Sequence, residues 1–184
     1  MKKVLIANRG EIAVRIVRAC HMLGLKAVAV CSTADKDALH VKLADESYCI
    51  GGPNPRDSYL DQNAVLTAAQ TSGADAVHPG FGMLSENAQF ARLLMDYGIT
   101  WIGPKPEVID AMGDKAAARK TVAARNVAVV PGSDGPLANE EEGLKLANEI
   151  GFPVLLKAAA GGGGRGIRAV YSSHEFSQAY RTAS

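Results

Sequence analysis

Apolar residues recur along this chain at two different spacings. Short apolar runs at residues 3–7, 27–31, 76–78 and 99–102 predict strands. Between the first two, Ile12, Ile16, Cys20 and Leu23 fall at helical spacing until Gly24 closes the segment. Further helices are predicted over 58–71, ending near Gly73, and over 87–97. A strand, a helix of this length and another strand make a crossover unit, which implies a parallel sheet with right-handed connections. Residues 1–112 therefore read as a doubly wound α/β domain, with ligands expected beyond the carboxyl ends of its strands.

The pattern changes after Met112. An alanine-rich helix over 115–125 leads through 127–130 into Pro131, Gly132, Ser133, Asp134, Gly135 and Pro136, a turn-forming run expected to mark a domain junction. We take 113–130 as a helical connector and 131–184 as a second, incomplete subdomain. It holds a helix over 139–150, apolar strands over 152–156 and 167–171, and a helix begun over 173–181 with no ending signal. No solenoid-type repeat is present.

Charge and composition narrow the function classes. The 184 residues carry a formal net charge of +1 and no long basic block, so nothing provides the electrostatic footprint of a nucleic-acid binder. Aromatic residues are 5% of the chain, which leaves few stacking platforms for single strands. Cys20, Cys31 and Cys49 form no C-x-x-C pair and no zinc-type group, and are expected to be buried, reduced thiols. The amino terminus imitates a signal peptide only briefly, and no segment approaches the roughly 20 apolar residues needed to span a bilayer. A soluble cytoplasmic protein, with neither nucleic acid nor membrane as partner, is expected.

The segment with most chemical content is Lys157 followed by Gly161, Gly162, Gly163, Gly164, Arg165 and Gly166, lying between two predicted strands. Each glycine in place of alanine costs roughly 0.5–1 kcal/mol of backbone entropy, so such a run implies a need for bare backbone. Phosphate meets that need. Successive N–H groups can converge on an anion while the lysine and arginine supply positive charge. A flexible linker is the alternative. A Walker A loop is excluded, because there the lysine follows the last glycine and opens a helix. Strand, lysine, glycine loop, strand resembles the lid of ATP-grasp ligases.

Other motifs are weaker. Asn8, Arg9, Gly10 and Glu11 occupy a strand-to-helix turn where a dinucleotide fold would place its glycines, but with one glycine of three, and Asp35 and Asp37 fall near where a ribose-binding acid would sit. His78, Pro79, Gly80, Phe81, Gly82, Met83, Leu84, Ser85, Glu86 and Asn87 gather glycines and polar groups where a parallel sheet opens its crevice. Within this loop Ser85 is expected to cap the next helix and Glu86 to sit in its first turn. Lys115 reads as a solvated surface lysine, and His21, His40 and His174 as isolated structural or exposed residues. No Ser-His-Asp order, G-x-S-x-G elbow or magnesium-type carboxylate cluster occurs.

Taken in order, Val4 to Ala13, His78 to Asn87, Met112 to Lys115, Val130 to Ser133 and Lys157 to Gly166 resemble biotin carboxylase over essentially the whole chain. The resemblance implies ATP- and magnesium-dependent carboxylation of carrier-bound biotin by bicarbonate through carboxyphosphate. Its partners would be a biotin carboxyl carrier protein and a carboxyltransferase, as in acetyl-CoA carboxylase or a related enzyme. Lys115 and Lys157 then correspond to nucleotide-binding lysines, and Gly163 and Gly164 to the lid that closes over the phosphates. Phe81 and Gly82 match the pair bordering the biotin pocket, phenylalanine standing where the family commonly has tyrosine. Arg15 and Arg18 match residues of a homodimer interface, with Met22 in place of a glutamate. The resemblance places the catalytic residues and metal ligands after residue 184, so the chain alone is expected to be inactive. Two alternatives stand beside it: a non-catalytic folding, dimerisation or docking module, and another ATP-grasp ligase.

Overall fold

A computed structural model describes residues 1–113, 115–133, 135–158 and 166–183, without the side chains of 115–117 and 183. Two units emerge, Met1–Gly113 and Asp114–Ser184.

In the first unit, β1 (Lys3–Ile6), α1 (Gly10–Met22), β2 (Lys26–Ser32), α2 (Leu39–Leu43), β3 (Glu46–Gly51), α3 (Gln62–Ser72), β4 (Ala76–His78), α4 (Ala88–Asp96), β5 (Thr100–Trp101) and α5 (Pro106–Gly113) follow one another. The five strands form one parallel sheet in the order β3-β2-β1-β4-β5. Alternate residues of each strand face opposite sides. Leu5, Ala7, Val28, Val30 and Val77 therefore pack with Val65, Leu66, Phe90 and Leu94 of α3 and α4. Val4, Ile6, Ala27 and Ala76 pack with Ala13, Val17 and Cys20 of α1 on the other side. Coverage of both faces explains why β1 and β2 read as unbroken apolar runs.

The first four predicted strands and the first helix are present, with ends shifted by one or two residues. Three elements carry too little apolar periodicity to be read: α2, α5 and β3. The last is an edge strand whose residues alternate between half-buried and exposed, which also puts Cys49 in solvent rather than in the core. The helix predicted from residue 58 begins four residues later. Pro55–Asp57 forms a 3-10 turn, and Asp61 Oδ1 caps α3 by accepting from Asn63 N and Ala64 N at 2.9 and 3.1 Å.

The second unit contains α6 (Lys115–Ala123), α7 (Glu140–Ile150), β6 (Val154–Lys157), β7 (Ile167–Val170) and α8 (Ser173–Ala183). β6 and β7 pair antiparallel as the predicted hairpin, with Lys157 opposite Ile167. Ala147, Leu156, Val170 and Phe176 form its core. Gly143 of α7 is small for a reason: a Cβ there would lie 2.8 Å from Leu137 and 2.9 Å from Phe176. Among the described residues, no helix is long and apolar enough to cross a membrane.

Candidate functional site

From β1 the chain builds outward to β2 and β3, then returns to β4 on the other side of β1. The strand order therefore reverses between β1 and β4, the place where an open parallel sheet leaves a crevice beyond its carboxyl ends. Asn8 and the turn at 79–83 occupy those two ends.

Asn8 is only 3% exposed. Its Nδ2 donates to the carbonyls of Pro79 and Phe81 at 2.8 and 2.9 Å, and its Oδ1 accepts from Arg9 N at 2.9 Å. One amide side chain thus ties the end of β1 to the loop after β4. His78 adds a second tie, its Nδ1 accepting from Gly80 N at 3.0 Å. That bond leaves Nδ1 without a proton, and burial pushes the imidazole pKa down, so His78 is held neutral. The backbone is tightly wound, with φ of +68° at Gly80, +67° at Gly82 and +50° at Met83. Gly80 cannot be replaced without cost, since a Cβ would lie 2.7 Å from both Asn8 Nδ2 and Ile12 Cγ2. At Gly82, by contrast, a Cβ would meet open space. Leu84 anchors the far side of the turn in the core.

Phe81 is the product of this arrangement, an aromatic side chain left 76% exposed on a pinned backbone. The cap of the following helix differs from expectation. Asn87, not Ser85, accepts from Phe90 N at 2.8 Å, because α4 begins at Ala88 and Ser85 lies in the turn before it, its N–H donating to Gly82 O at 2.9 Å. Glu86 likewise precedes the helix.

A second polar group lies beyond the ends of β1 and β2. Asp35 Oδ2 accepts from Tyr59 OH at 2.7 Å and Ser32 Oγ at 3.1 Å, and pairs with Arg9 Nη1 at 3.1 Å. Arg9 also lies over the Tyr59 ring, 5.7 Å from its centroid. The Tyr59 hydrogen bond, with those of Ser32 and Arg9, holds the Asp35 carboxyl below its usual range. Burial, reinforced by Asp35, pushes the Tyr59 phenol up to about 12. The Asp35 Oδ2 is therefore committed to the protein rather than to a ribose. Sequence reading missed this group because Tyr59 fell inside a predicted helix. His40 is buried nearby in sequence, its Nε2 bonded to Val30 O at 3.2 Å, and burial pushes its pKa down.

The remaining candidates are scattered. Arg15 and Arg18 lie on the exposed side of α1, Arg15 3.7 Å from Glu11, and Met22 at the end of that helix is 88% exposed. In the second unit, Lys157 is exposed at the end of β6, and the hairpin continues one step further through Ala158 N to Gly166 O at 3.2 Å. Gly163 and Gly164 lie outside the described residues, as does the side chain of Lys115, which opens α6. Among the described residues no group of three histidines, cysteines or acids could hold a metal ion.

Comparison with known proteins gives matches along the whole chain. Residues 1–109 match the family described as biotin carboxylase, N-terminal domain, and residues 114–184 match the carbamoyl-phosphate synthase L chain, ATP binding domain. Biotin carboxylase 1 of Bacillus subtilis is 54% identical over 175 residues, covering 95% of this chain and 39% of that protein. The chloroplastic biotin carboxylase of Arabidopsis thaliana is 56% identical over 174 residues, 95% of this chain and 32% of its own length. Among solved structures, biotin carboxylase of Campylobacter jejuni in a β,γ-ATP complex superposes with a TM-score of 0.91 at 49% identity, over 99% of this chain and 41% of that one. The biotin carboxylase domain dimer of Hydrogenobacter thermophilus 2-oxoglutarate carboxylase, in complex with MgADP, ADP and bicarbonate, gives 0.89 at 52% identity, over 99% and 40%. The chain thus spans about 40% of the length of several of these relatives.

Proposed function

Because the chain belongs to the biotin carboxylase N-terminal domain family, we propose that it forms the amino-terminal part of an ATP-dependent ligase that carboxylates carrier-bound biotin with bicarbonate. The observation that carries this reading is the pinned turn at the sheet's reversal point. A flat bicyclic ring can lie against the exposed Phe81 side chain, and the open space at Gly82 lets a ligand approach backbone. Asn8 and His78 hold that backbone in place before any ligand arrives, so little ordering entropy remains to be lost on binding.

ATP and bicarbonate would supply carboxyphosphate as the activated carboxyl donor. The contribution of this chain is charge and enclosure. The Lys157 ammonium would offset phosphate charge, joined by Lys115, while Gly163 and Gly164 would bring backbone N–H groups over the phosphates and exclude water. No group of three acidic, histidine or cysteine side chains among the described residues forms a seat for magnesium.

Steady-state kinetics of the complete enzyme that contains this chain test the reading. Phe81→Ala should raise KM for biotin at least about tenfold and leave KM for ATP near its original value, and Lys157→Ala should do the reverse. Equal effects of both substitutions on both substrates would refute the division of roles.

A pairing role has its own support. Arg15 and Arg18 share α1 with the exposed Met22, beside the exposed Leu23, a mixed apolar and basic surface suited to a second copy of the chain. Sedimentation should show self-association weakened by Met22→Lys, which removes apolar contact and adds like charge to a basic surface. The carrier protein and a carboxyltransferase would be the further partners, and the three free thiols suit the reducing cytoplasm.

A further inference from the structure

Cys31 on β2 and Cys49 on β3 are direct partners in the parallel ladder. Neighbouring strands lie roughly 4.8 Å apart, within the roughly 4.4–6.8 Å between Cα atoms that a disulfide spans. Partners in register point to the same side of a sheet. Val28 and Val30 face α3 and α4, so Cys31, and with it Cys49, faces the opposite side. There the two thiols differ sharply in access: Cys31 is 4% exposed, while Cys49, on the edge strand, is open to solvent. Cys49 Sγ has a weak partner in Gly51 O at 3.8 Å, and the ladder register shifts immediately after Cys31. An edge strand next to such an irregularity has room to close the sulfurs.

We propose that Cys31 and Cys49 form a reversible disulfide site whose oxidant is a low-molecular-weight disulfide. The Cys49 thiolate attacks one sulfur of the reagent, breaking its S–S bond and releasing the first small thiol. Cys31 then attacks Cys49 Sγ, breaking the mixed disulfide and releasing the second small thiol. The two protein thiols lose two electrons and two protons in total, and the reagent is reduced to two thiols. Burial is the main cause that pushes the Cys31 thiol pKa up, so the second step is slow at neutral pH and accelerates as pH rises. The bond closes the segment that carries α2, His40 and Asp35, tying the edge strand to β2 beside the Ser32, Asp35 and Tyr59 group.

The folded 184-residue chain, treated with oxidised glutathione without denaturant and then alkylated, decides the matter by intact mass and non-reducing peptide mapping. The expected product has lost the mass of two hydrogen atoms, links the Cys31 and Cys49 peptides, leaves Cys20 as a thiol and reverts with dithiothreitol. Its formation rate should rise about tenfold per pH unit below the Cys31 pKa. Cys49→Ser, an exposed and structurally mild change, should abolish the loss of mass, and Cys31→Ser should stop at the glutathione adduct on Cys49. A wild-type chain that stops at that adduct, or that pairs Cys20, overturns the proposal.

Discussion

The turn at Gly80 and the strand end at Lys157 both present themselves to a ligand, but they do so in opposite ways. Around Gly80 the backbone is tied down by protein partners: Asn8 holds two carbonyls, His78 holds an N–H, and the resulting turn displays Phe81. At Lys157 a solvated ammonium ends a two-stranded hairpin, and no described residue bonds to it. The first region offers a shape made in advance by hydrogen bonds that cost stability if broken. The second offers charge, which costs little to remove from the folded chain. Substitutions in the framework that holds the turn should therefore harm folding, whereas removal of the Lys157 charge should harm ligand binding and leave folding nearly unchanged.

The sharpest test is Gly80→Ala. A side chain at φ of +68° is strained, and its Cβ would overlap Asn8 and Ile12, so a loss of about 2–4 kcal/mol is expected. Trp101, the chain's single tryptophan, packs edge-to-face on Phe90 at 5.9 Å in the first unit, so its fluorescence in denaturant titration reports that unit. Loss of less than 1 kcal/mol would mean the turn relaxes freely. Asn8→Ala should cost about 1–3 kcal/mol by the same measurement, because two carbonyls lose their donor. Combining the two changes should cost less than their sum, since removing Asn8 relieves part of the overlap. A strictly additive pair would show that the two residues do not share the constraint.

Titration separates the first unit further. Burial depresses the pKa values of His40 and His78, so the unfolded chain binds more protons once pH falls through about 6.5. The Trp101-detected unfolding midpoint should be flat near pH 7–8 and fall as pH drops below 6.5. Tyr59 acts at the other end. Its folded-state pKa of about 12 lies above the unfolded value near 10, so its contribution is full below pH 10 and is lost as pH rises toward 12. Tyr59→Phe should remove that alkaline loss. The smallest effect belongs to Lys157→Ala, which should change stability by no more than about 0.5 kcal/mol. A larger change would make the lysine a structural residue and erase the contrast between the regions.

Much of this contrast depends on how legible each part is along the chain. The runs at β1 and β2 and the helical spacing of α1 stand out because burial on both sheet faces demands continuous apolar sequence. β3 is hidden because one of its edges and one of its faces meet solvent, so Glu46, Ser47 and Cys49 give it a polar look. The loop 78–87 is legible as a candidate from its residues and the pair Phe81 and Gly82 within it only through the family resemblance, while the grip of Asn8 upon that loop is not legible at all. Tyr59, Asp35 and Ser32 were missed as a group because each looks ordinary in its own segment.

Local order and motif order, then, were determined by the sequence itself wherever apolar periodicity is strong: which of those segments are strands or helices, where glycine must turn the chain, and where cations flank the glycine run. Those properties depend on neighbours within a few positions, so they survive without the fold. The tertiary structure alone decided that Asn8 meets Pro79 and Phe81, 71 and 73 residues away, and that Cys31 meets Cys49. Both follow from strand order. A right-handed crossover sets the hand of a connection but not which strand lies beside which, and only that adjacency turns distant residues into partners.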